Sequence, residues 1–114
     1  MPYLKIQTNV SLDTSKENAL LTKASQLVSE ILSKPEKYVV VAFEHSPSML
    51  FDGKNDPLAY LELKSIGLPG DKTTAYSQVL CDLVNQELNV DKDRIYIEFA
   101  NAERNMWGWN GETF

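Results

Sequence analysis

One histidine, His45, and one cysteine, Cys81, stand in this chain. These two residue types carry much of the acid–base, nucleophilic and metal-binding chemistry of proteins. A single cysteine excludes an intrachain disulfide and a cysteine-based metal cluster. A single histidine excludes a His-rich metal site and argues against a Ser-His-Asp triad. His45 follows an apolar run and opens a turn-forming stretch, so it reads as a loop residue rather than a metal ligand or an acid–base group. Cys81 stands beside Leu80 and near Leu83, and reads as a small buried hydrophobe. If the chain is an enzyme, a group other than imidazole or thiol must move the protons.

Bulk composition narrows the field further. At 114 residues the chain is expected to form a single domain. Its hydrophobic fraction of 43% can build a core, and its charged fraction of 24% keeps it soluble. A core of this size is modest, so oligomerisation would help it. Eleven basic and sixteen acidic residues give a net charge of −5, a poor match to nucleic acid or an anionic membrane. No apolar run approaches a membrane span. The start, MPYLKIQTNV, lacks the basic and apolar regions of a signal peptide, so the expected location is the cytoplasm.

Periodicity supplies the elements that must position any site. Tyr3 to Val10 alternates Leu4 and Ile6 with Lys5 and Gln7, the period of a strand. Thr14, with Glu17 three residues on, predicts a capped helix start. Leu20, Ala24, Leu27, Val28 and Ile31 then fall on one helix face, and Pro35 closes the segment. Tyr38 to Phe43 is β-branched and aromatic and reads as a buried strand. A turn-rich loop follows, with a short strand expected around residues 48–51. Leu58 to Ile66 is the next strand. A second helix, capped by Thr73 or Asp71, carries Tyr76, Val79, Leu80, Leu83 and Leu88. Arg94 to Phe99 is the last long strand, and residues 105–111 read as a short hairpin.

The order is strand–helix–strand twice over, with pseudo-repeats at about 1–56 and 57–114. The charged lead-in and strand at 35–43 recur in pattern at 91–99. Right-handed βαβ crossovers put both helices on one face of a shared sheet. The predicted fold is therefore α+β, a four-stranded mixed sheet with two helices on one face. YVVVAF and RIYIEF look too apolar on both sides to leave the other face in water, which predicts that copies of the chain cover it.

A resemblance joins these features. Met1-Pro2 opens a strand, and Lys34-Pro35 follows the first helix. Ser65-Ile66-Gly67 ends the third strand, and Tyr76-Ser77 and Leu80-Cys81 sit on the second helix. Arg94-Ile95-Tyr96-Ile97 makes the last strand, and Gly108-Trp109-Asn110 with Thr113-Phe114 ends the chain. In order and spacing the chain is similar, nearly end to end, to the macrophage migration inhibitory factor family of the tautomerase superfamily. The resemblance implies a symmetric trimer whose sheets surround a central channel. It implies removal of Met1, and keto–enol tautomerisation of aryl pyruvates such as phenylpyruvate without cofactor or metal. Dopachrome isomerisation is the family's model reaction. Animal members also act as signalling proteins and leave cells without a signal peptide.

The same resemblance assigns roles. Pro2, as a free secondary amine, becomes the base. An α-amino group titrates near about 8, and a secondary amine higher, so the pKa must be lowered for work at neutral pH. Burial and a nearby cation both lower it. Ile66 and the aromatics would supply the first and Lys34 the second. Lys34 would also hold the substrate carboxylate and stabilise the enolate. Without the resemblance, Pro2 merely starts a strand, and Lys34 is a solvated lysine favoured at a helix C-terminus. Ile66 maps onto the strand end whose backbone faces the ligand. Tyr38, Tyr96, Trp109 and Phe114 would wall the aryl pocket, with Tyr96 arriving from the adjacent subunit, so three sites fall at three interfaces.

Two positions depart from the family pattern. Glu98 shares a strand face with Tyr96 and stands where animal members carry asparagine. An ionised carboxylate only accepts hydrogen bonds, raises the pKa of a nearby amine and competes for Lys34. A Cys-x-x-Cys found in some animal members is replaced here by Leu58-Ala59-Tyr60-Leu61, which excludes dithiol chemistry at that site. The alternative to an enzyme is therefore a binding or signalling protein of the same fold with a weakened pocket. A ferredoxin-like regulatory domain would explain the βαβ repetition but neither the Met-Pro start nor the WGWN tail.

Overall fold

Alternation at the start of the chain sends Leu4, Ile6 and Thr8 to one side, and all three are fully buried. They belong to β1 (Tyr3–Thr8) in a computed structural model that describes residues 1–114. Helix α1 (Thr14–Leu32) buries Leu20, Ala24 and Val28, one residue per turn. Its cap is Asp13 rather than Thr14. The Asp13 carboxylate accepts from the Lys16 N–H at 2.8 Å, and Thr14 already lies in the first turn. A charged acceptor on extended backbone suits the positive end of the helix dipole better than a hydroxyl. Asp13→Ala is expected to destabilise the fold by about 1 kcal/mol, read as a lower urea midpoint with an unchanged m-value.

The helix stops in a left-handed turn at Ser33, φ 53°. The Lys34 N–H donates to the Ser29 carbonyl at 3.1 Å, and the Ser29 hydroxyl donates to the Lys34 carbonyl at 2.6 Å. Pro35 then launches a 3₁₀ turn at Glu36–Tyr38, so Tyr38 precedes β2 (Val40–His45) instead of beginning it. The second unit runs β3 (Ala59–Ile66), α2 (Thr73–Leu88) and β4 (Ile95–Ala102). Strand order is β2-β1-β3-β4, with β1 parallel to β2, β3 parallel to β4, and β1 antiparallel to β3. Both helices pack on one face, as the repeated βαβ pattern predicts. The core lies between them, where Leu4, Ile6, Leu61 and Leu63 meet Leu20, Val28, Leu80 and Val84.

Several local expectations are corrected. Neither Thr73 nor Asp71 caps α2; a 3₁₀ turn at Gly70–Lys72 leads in, and the Thr73 hydroxyl donates back to the Gly70 carbonyl. Residues 48–51 form no strand. Phe51 and Lys54 bridge across a turn in which Asp52 and Gly53 both take positive φ. Cys81 is half-buried, packed against the core edge rather than inside it. The tail does form a hairpin, β5 (Gly108–Trp109) with β6 (Glu112–Thr113), closed by Asn110-Gly111 at positive φ.

The open face of the sheet is the largest correction. Register places Tyr3, Lys5 and Gln7 on it beside Val40, Ala42 and Glu44, and Tyr60, Glu62 and Lys64 beside Tyr96, Glu98 and Ala100. This face is mostly polar. Lys5 pairs with Glu44 at 2.8 Å, Lys64 with Glu62 at 3.5 Å, and the Tyr60 hydroxyl donates to Glu98 at 2.6 Å. Of the apolar members of YVVVAF and RIYIEF, Val41, Phe43, Ile97 and Phe99 pack against the helix-side core, while Val40 stays exposed on the open face. In the single chain the open face is therefore more polar than the runs YVVVAF and RIYIEF suggest.

Candidate functional site

Pro2 is fully buried at the mouth of β1. Its carbonyl accepts from the Val40 N–H at 3.0 Å, which ties it to the start of β2. Immediately before β2, the 3₁₀ turn presents the Tyr38 ring. The C-terminal hairpin brings two more rings, because the Phe114 N–H donates to the Trp107 carbonyl at 3.2 Å and folds the last residue back. Trp109 and Phe114 stack at 5.6 Å and 15°, and Tyr38 meets them edge-on at 5.7 and 6.0 Å. Met1, Pro2, Tyr38, Trp107, Trp109 and Phe114 share a cavity of about 270 Å³. A wider, open groove of about 340 Å³ between α1 and α2 is lined by Lys23, Glu30 and Asp82 and holds none of the candidate residues.

Burial and a neighbouring cation lower the pKa of the Met1 amine at this end of the chain. The Met1 amine donates to the Tyr38 carbonyl at 2.8 Å. Burial first, and the positive charge of Lys34 second, hold it below its ordinary value of 8.0. These are the two causes the sequence reading invoked for Pro2. Lys34 acts on the terminus through its charge, from a backbone position fixed just beyond α1.

Other candidates lie apart within one chain. Ile66 is buried at the end of β3 opposite Ala102 and does not line the aromatic cavity. Tyr96 sits on β4, with β3 between it and β1. Its ring is 61% exposed and meets Phe51 at 4.7 Å. Glu98 is not paired with Lys34; its partner is the Tyr60 hydroxyl. That bond also holds the Tyr60 phenol above its ordinary range, so it stays a donor.

Sequence reasoning missed Lys37 and Trp107, which both line the cavity. The Lys37 ammonium sits 5.0 Å from the centre of the Tyr38 ring. The signal available was Pro35, since a helix-breaking proline before Glu-Lys-Tyr starts a tight turn that turns lysine and tyrosine toward the same opening.

Comparison with known proteins agrees across the whole chain. The family model described as macrophage migration inhibitory factor matches residues 1–114. A macrophage migration inhibitory factor homolog of Brugia malayi is 41% identical over 115 residues, covering 100% of this chain and 99% of that protein. The crystal structure of a homologue from Prochlorococcus marinus superposes with a TM-score of 0.92 at 40% identity, over 98% of both chains. The Trichinella spiralis structure gives 0.91 at 35% identity, over 98% of this chain and 99% of that one.

Proposed function

The chain belongs to the macrophage migration inhibitory factor family, in which tautomerase activity and cytokine-like roles are known, and on that premise we propose that it is a cofactor-independent keto–enol tautomerase of phenylpyruvate-like aryl keto acids. Removal of Met1 frees the Pro2 nitrogen as the base. It takes a proton from the carbon beside the keto group, and the electron pair moves through the new C=C bond onto oxygen. Protonation of that oxygen gives the enol; the reverse path returns the proton to carbon. Lys34 holds the substrate carboxylate and offsets the enolate charge. Tyr38, Trp109 and Phe114 wall the planar substrate, Ile66 contributes backbone at the strand end, and Tyr96 of the partner subunit closes the aryl side. Three copies then form three sites at three interfaces, with the polar sheet faces turned to a central channel. No helix is long and apolar enough to cross a membrane.

The carrying observation is a buried Pro2 beneath three converging rings, at a chain end where burial and Lys34 already depress an amine. The test is the enol-to-keto absorbance change of phenylpyruvate, paired with the intact mass. Turnover above buffer with Met1 absent is expected. Retained Met1, or turnover indistinguishable from buffer, would overturn the reading in favour of a binding protein with a relic pocket.

Glu98 is the one residue that speaks for that second reading. If Glu98 of the partner subunit faces the site, its charge opposes a carboxylate substrate. Glu98→Asn is then expected to raise kcat/KM for phenylpyruvate about fivefold, mainly through KM, the size of a charge–charge term near a protein surface. The amide oxygen still accepts from Tyr60, so the strand face survives. No gain, or a loss, removes Glu98 from the site.

A further inference from the structure

Tyr96 is given little support by its own strand. Its ring is largely exposed on an edge strand and borders a cavity of about 290 Å³ shared with Leu50, Phe51, Leu58 and Tyr60. Within its own chain, burial does not fix its rotamer. The one aromatic ring it meets within the chain is Phe51.

Phe51 belongs to a loop of few internal bonds, the bridge between Phe51 and Lys54 at 3.0 Å in each direction. Four of the loop's carbonyls converge on a single guanidinium. Arg94 Nη1 donates to Phe51 at 3.2 Å, Nη2 to Lys54 at 3.2 Å and Asp56 at 3.0 Å, and Nε to Pro57 at 3.0 Å. The guanidinium also lies 5.3 Å from the centre of the Phe51 ring. Arg94, Phe51 and Tyr96 thus form a chain of contacts, the cation over the Phe51 ring and that ring tilted at 48° against Tyr96. Only a planar fork with five donors can meet four acceptors spread around it; an ammonium at the same place cannot.

We infer that Arg94 is a positioning residue for Tyr96, fixing the 51–57 loop and the Phe51 ring that in turn set the orientation of the Tyr96 ring. The inference rests on the proposed tautomerase site, because Tyr96 is the residue that closes its aryl side. A loosened Tyr96 weakens ground-state and transition-state binding alike, since the aryl group is remote from the moving proton. The consequence is a higher KM with little change in kcat.

The test uses the full-length protein with 3-fluorotyrosine in place of its five tyrosines, the Tyr96 resonance being assigned with Tyr96→Phe. In Arg94→Lys, and in Phe51→Leu, which leaves the four carbonyl bonds intact, the Tyr96 resonance is expected to shift or broaden. KM for phenylpyruvate is expected to rise about fivefold with kcat held within about twofold, and this rise should vanish when Arg94→Lys is combined with Tyr96→Ala. A Tyr96 resonance unmoved in both variants overturns the inference, as does an undiminished KM effect in the Tyr96→Ala background. A wild type inert toward phenylpyruvate overturns the tautomerase reading instead, and the fluorine signal still decides whether Arg94 holds Tyr96.

Discussion

Pro2→Gly is expected to lower kcat for phenylpyruvate about a hundredfold, with KM nearly unchanged. A positioned general base contributes on the order of 10² to 10⁴ in rate. Glycine keeps an amine at the chain end, so the loss falls at the lower bound of that range. What it removes is the ring that fixes the direction of the nitrogen lone pair, and a freely turning primary amine forfeits orientation. Pro2 is also fully buried, and losing its ring methylenes weakens packing by about 2 kcal/mol. Oligomeric state and thermal midpoint therefore have to be measured beside the rate. A folded Pro2→Gly protein with wild-type turnover would remove Pro2 as the base. A folded protein with lost turnover and intact substrate binding separates chemistry from scaffold, because a kcat lowered alone marks an interaction made only in the transition state.

Much of the frame was legible in the residues themselves. The alternation of Leu4 and Ile6 with Lys5 and Gln7 leaves β1 a single workable register, because a one-residue slip would put Lys5 into the core. Leu20, Ala24 and Val28 mark the buried face of α1 by spacing alone. The continuous runs were harder to divide between faces. YVVVAF does not say which valine meets the helices, and that depended on β1 pairing Leu4 with Val41 and Ile6 with Phe43. The polar web on the open face was hidden for the same reason. Lys5 with Glu44 and Tyr60 with Glu98 are neighbours only across strands.

The site divides along similar lines. Tyr38, Trp109 and Phe114 are far apart in the chain, and no local pattern announces that they share one cavity with Pro2. Their grouping came from resemblance before geometry supplied it. Arg94 shows the reverse. By sequence it is the charged first residue of a strand, and its four carbonyl partners lie in a loop whose turn-formers give no hint of a cation to hold them. Short-range rules read periodicity, caps and turns well. They do not read one long side chain that reaches a distant loop.

Lys34→Met is expected to raise KM for phenylpyruvate about tenfold and to move the acid limb of kcat/KM to higher pH. The first effect is the loss of a charge-assisted contact to the substrate carboxylate, on the order of 1.5 kcal/mol or more. The second follows from the terminal amine. Lys34 is a cause of the lowered pKa of the Met1 amine, since a neighbouring cation disfavours the protonated form, and the Pro2 amine exposed by Met1 removal is expected to feel the same charge. Without it the amine holds its proton to higher pH. The base is the neutral form, so activity falls more on the acid side than on the alkaline side. Burial, the larger cause, remains, and the limb moves only part of the way toward the position of an exposed amine. Lys34→Arg keeps the charge and should leave the limb in place even where KM changes. Profiles taken between about pH 5 and 9 resolve the two effects, because carboxylate binding scales KM while the amine sets the limb. If Lys34→Met overlays the wild-type profile after scaling, Lys34 binds the substrate without tuning the base, and burial alone must keep the Pro2 nitrogen free.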